Sequence, residues 1–60
     1  MLLIVILNPN TPYGDRTQVQ TPGVQRTAVE GNRLFAYNGQ GDKVAQFNCE
    51  DVNAHHLEEN

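Results

Sequence analysis

Seven of the chain's 23 apolar side chains stand in one unbroken run, Met1 to Leu7. The run is too short for a membrane helix, which needs about 20 apolar residues. Its core, Leu-Leu-Ile-Val-Ile-Leu, is rich in β-branched residues and apolar at odd and even positions alike. That pattern predicts a strand buried on both faces rather than one with a wet side. Pro9 ends it, because proline cannot donate to a ladder and biases the residue before it. The other 16 apolar residues are spread over 53 positions, so this strand must supply much of the core. Its deletion is expected to unfold the domain.

Sixty residues make one domain, 1–60. A chain of this size buries only about 60% of its unfolded surface, and small domains commonly add a disulfide, a metal or a partner subunit. Cys49 is the only cysteine, which excludes an internal disulfide and suits a reducing compartment. Met1–Leu7 lacks a basic flank and a small-residue cleavage site, so it does not read as a targeting segment. These features predict a cytoplasmic protein that does not engage a membrane. Of the three staples, oligomerisation is the one left.

Further along, the loop 8–16 holds two prolines, a glycine and two asparagines, with Tyr13 as its one large side chain pinning it to the body. A short strand over 17–20, a Pro22-Gly23 turn and a β-permissive stretch 24–30 follow. The plainest local signal is a hairpin, Arg33–Tyr37 and Lys43–Phe47 around Asn38-Gly39-Gln40-Gly41-Asp42. A two-residue Asn-Gly turn would set Ala36 against Gly41 and Leu34 against Lys43, wasting apolar positions. A five-residue loop pairs Tyr37 with Lys43, Phe35 with Ala45 and Arg33 with Phe47. A four-residue loop sets Phe35 beside Val44 and Leu34 beside Ala45. The last two stay open, and in both each face of the hairpin carries apolar side chains. Asn48 is placed to cap one helical turn; Val52 to Leu57 fits either helical spacing or period two, and a short final strand is the favoured reading. The predicted fold is all-β and mainly antiparallel: four to five short strands in a small curled sheet or SH3-like barrel, with one helical turn near the C-terminus.

Several chemistries are excluded by composition. The chain has no serine, so no serine nucleophile. Gly39-Gln40-Gly41 lies between two strands, whereas phosphate loops need a helix start behind the glycines. Cys49, His55 and His56 are the only soft metal ligands. Adjacent histidines on a strand face opposite ways and cannot share one ion, so no metal site is assigned. A nucleophilic thiolate is promoted by cations or a helix start, and Cys49 is followed instead by Glu50 and Asp51. The acidic pairs Glu50-Asp51 and Glu58-Glu59 have no predicted cleft to set their protonation apart. No catalytic residue and no cofactor are therefore expected, and the chain does not read as an enzyme.

Net charge is −3, with four acids and no Lys or Arg after residue 48. The first functional expectation is a small protein–protein interaction module, a homo-oligomer or an accessory subunit, whose surface draws on Leu34, Phe35, Tyr37 and Phe47. The alternative is single-stranded nucleic-acid binding by an aromatic and basic sheet face, with Arg33 and Lys43 beside Phe35 and Tyr37. The acidic balance counts against that alternative.

Overall fold

The computed structural model describes residues 1–9, 11, 14 and 17–59. Tyr13 and Arg16 lie outside the described residues. The elements in chain order are β1 (Leu2–Leu7), β2 (Gln18–Thr21), β3 (Arg26–Glu30), β4 (Arg33–Tyr37), β5 (Lys43–Asn48), a single 3-10 turn (Cys49–Asp51) and β6 (Val52–Glu58). The strands form two antiparallel three-stranded sheets. Sheet A has the order β2-β1-β6 and sheet B the order β3-β4-β5. The all-β, antiparallel prediction holds, as does the helical turn ahead of the last strand. Asn48 occupies the cap position of that turn, but its side chain makes no capping hydrogen bond.

Of the two architectures expected, the small curled sheet holds and the closed SH3-like barrel does not, and the described residues form six strands rather than four or five. The physical reason lies at the two corners where the chain changes sheet. At the first, Gly23 takes φ +74° and turns the chain. The next two amides then bond to different sheets: Val24 N–H donates to Met1 O at 3.0 Å and Gln25 N–H to Tyr37 O at 2.7 Å. At the second corner Cys49 N–H donates to Asn32 O at 2.7 Å, and Asn8 ties the turn to β1 through its own N–H to Asp51 O at 2.9 Å. Asn8 Nδ2 adds a bond to Glu50 O at 3.0 Å. These isolated bonds join the sheets without extending a ladder, so the sheets stay distinct.

β1 is the centre of sheet A, paired with β2 on one side and β6 on the other. Its alternate residues Leu3, Val5 and Leu7 are 0%, 0% and 6% exposed and point at sheet B. From sheet B, Leu34, Ala36 and Phe47 meet them, with Val24 filling the corner. Val19, Ala45, Cys49, Val52 and Leu57 close the margins of this one cluster. The Cα shell is 14 Å in its thinnest direction, room for two layers only. Nothing in the described chain therefore covers the opposite face of β1. Leu2, Ile4 and Ile6 are half-buried there, not fully buried as their composition predicts. The total accessible surface, 4028 Å², is near the roughly 3,900 Å² expected of a compact monomer of this mass.

The hairpin settles its register by a device absent from both open readings. Tyr37 does pair with Lys43, as a five-residue loop requires, but the ladder then shifts by one residue at a bulge between Ala36 and Tyr37. Beyond the shift Ala36 faces Ala45, Phe35 faces Gln46 and Leu34 faces Phe47. One extra residue on β5 thus sends Phe47 inward beside Leu34. The loop itself is organised by Asn38, whose Oδ1 accepts from the amides of Gln40 and Asp42, both at 2.9 Å. Gly41, at φ +84°, supplies the left-handed residue that closes it. Asn38→Ala is expected to lower stability by about 1 kcal/mol in urea unfolding, since two solvent-accessible side-chain bonds are lost and the fold is kept.

Candidate functional site

Sheet B has an outer face built almost entirely from the polar and aromatic half of β4 and its neighbours. Along β4, Leu34 and Ala36 turn inward, so Arg33, Phe35 and Tyr37 turn outward. Directly opposed residues share a face. On one side these are Glu30, Ala28 and Arg26, and on the other Asn48, Gln46 and Lys43. The Lys43 ammonium sits 3.9 Å from the centre of the Phe35 ring. The Arg26 guanidinium sits 4.0 Å from the centre of the Tyr37 ring. Each ring thus has a cation above it, an arrangement worth about 0.5–1 kcal/mol at an exposed site. Phe35 is buried, at 8% exposed, although it stands outside the cluster of Leu3, Val5, Leu7 and their partners.

The four residues expected to form one interaction surface are divided by the sheet. Leu34 and Phe47 are core residues, 1% and 5% exposed, while Phe35 and Tyr37 face outward. The second set stays together: Arg33 and Lys43 share the outer face with Phe35 and Tyr37. Sequence reasoning missed Arg26, which joins them through its pairing with Tyr37. The available signal was alternation in 24–30, which sets Arg26 and Ala28 on one face.

The outer face of sheet A is of a different kind. Leu2, Ile4 and Ile6 form a row down its centre. Gln20 and Gln18 flank Ile4 and Ile6 on β2, and Glu58, His56 and Ala54 flank the row on β6. His56 Nε2 and Glu58 Oε1 lie 3.1 Å apart, so the two ionisable groups on this face serve each other. This face thus combines a central apolar row with two glutamines and one His–Glu pair.

Two clefts open beside the sheets. A polar one of about 380 Å³ is lined by Asn32, Arg33, Asn48, Cys49 and Glu50. An apolar one of about 190 Å³ lies between Val29 and Leu34 of sheet B and Val52 to His55 of sheet A, with Cys49 at its base. The cleft leaves Val29 60% exposed, although that residue is paired with the buried Leu34. His55 borders this cleft and His56 lies on the outer face with Ile4, so the two histidines do diverge as their strand placement requires. Among the described residues no three His, Cys, Asp or Glu side chains converge on a point that could hold a metal ion. No helix among them is long and apolar enough to cross a membrane.

No family model matches the chain, and no curated protein or solved structure is significantly similar to it.

Proposed function

We propose that the chain is a small protein–protein interaction module, which self-associates or serves as an accessory subunit through the outer face of sheet A. The carrying observation is the row Leu2, Ile4 and Ile6, half-buried at the centre of an open sheet and bordered by Gln18, Gln20 and Ala54 and by the paired His56 and Glu58. Among the described residues the core cluster lies on the other face of β1. Covering the row with a second copy would remove the remaining exposed apolar surface, worth about 1 kcal/mol for each side chain. The chain already has its own core, so the association is reversible and depends on concentration. The lone thiol Cys49 suits a cytoplasmic setting.

The double variant Ile4→Thr, Ile6→Thr tests this reading. Threonine keeps the β-branched shape that a strand favours and removes apolar surface from the outer face only. Sedimentation over a wide concentration range should show the parent passing from monomer to dimer while the variant stays monomeric with an unchanged circular dichroism spectrum. A parent that is monomeric throughout, and that retains no protein partner in a nuclease-treated pull-down, would overturn the proposal.

A further inference from the structure

We infer that the outer face of sheet B is a binding surface for single-stranded nucleic acid, separate from the surface on sheet A. Among the described residues every Lys and Arg, namely Arg26, Arg33 and Lys43, lies on this face, against one acid, Glu30. The other described acids are Asp42 in the hairpin loop, Glu50 and Asp51 in the 3-10 turn, where Glu50 shares a cleft with Arg33, and Glu58 and Glu59 at the end of β6. A chain of net charge −3 therefore presents three positive groups on one side of one sheet. The three cations together draw a polyanion to that side.

The aromatic rings say which polyanion. Phe35 and Tyr37 are two residues apart on β4, so their rings are spaced by about 7 Å along the strand. Bases stacked in a duplex are about 3.4 Å apart and cannot each take one ring. An extended single strand can, with its bases on the rings and its phosphates beside Arg26, Arg33 and Lys43. An acidic peptide would use the three cations and leave the rings idle. Lys43, an exposed residue, covers the outer side of Phe35, so a phosphate that draws its ammonium aside uncovers the ring at the cost of that one pair. Tyr37 is already partly open beneath Arg26. The cations thus shield the rings in the free protein and pair with the backbone in the complex.

The test is fluorescence anisotropy with a labelled oligothymidylate, the same sequence as a duplex, and an oligoglutamate competitor of equal charge. The single strand should bind at low salt, and affinity should fall about twentyfold over a fourfold rise in salt, the slope of about −2 that three phosphate contacts give. Arg33 is exposed and belongs to neither cation–ring pair, so Arg33→Gln leaves both pairs in place. It should flatten the slope by about 0.7. Tyr37→Leu should weaken binding about tenfold at fixed salt. No binding at low salt, or an unchanged slope in Arg33→Gln, would overturn the inference. Displacement by oligoglutamate at equal charge, or a duplex bound as tightly as the single strand, would also do so, because the rings would then contribute nothing.

Discussion

Val5→Asp is expected to leave the chain unfolded at room temperature. Val5 is wholly buried on the central strand of sheet A, between Val19 of β2 and His55 of β6, and it faces the core. An unpaired carboxylate there costs several kcal/mol. A 60-residue domain has only about 3–9 kcal/mol of stability in all, at roughly 0.05–0.15 kcal/mol per residue. The neighbouring change Ile4→Asp is the control. Its side chain points to the outer face of the same strand, so the loss should be about 1 kcal/mol, the span of strand preference. Circular dichroism and urea titration of the pair separate the two faces of β1. Equal damage from both would mean that each face of β1 is core.

The two phenylalanines of the hairpin give the second large effect. Phe47→Ala should cost about 3–5 kcal/mol, as truncation of a buried aromatic does. It removes the side chain that meets Leu34 across the ladder and joins both sheets into one cluster. Phe35→Ala should cost about 2 kcal/mol, since its ring rests on a sheet surface under Lys43 and leaves no enclosed cavity. The ordering follows from the bulge alone. An unbulged five-residue hairpin would set Phe35 and Phe47 on the same face, and the two variants would then be equally harmful.

Much of the fold was legible because it depends on local chemistry. The apolar run Leu2–Leu7, the Pro22-Gly23 turn and the loop 38–42 mark where strands start and stop, and the structure places strands between them. Alternation within 33–37 likewise places Leu34 and Ala36 opposite Phe35 and Tyr37. What could not be read was which face of each strand meets the other sheet. The run Leu2–Leu7 is apolar on both sides, so periodicity carries no preference, and only the two-layer thickness decides that Leu3, Val5 and Leu7 are core.

Phe47 shows the same limit at a single residue. Its apolar character is plain in the sequence, but its face depends on one inserted position on β5, which costs little locally and is selected by packing against Leu34 across the ladder. Arg26 likewise becomes part of an aromatic and basic surface only because β3 pairs with β4 in the register that sets it opposite Tyr37. The first strand, the hairpin strands, the turns between them and the all-β class were thus determined by the sequence by itself, since they rest on backbone preferences within a few residues. Sheet membership, the inward face and the composition of both outer surfaces were decided by the tertiary structure, because burial is a property of what two distant strands do together.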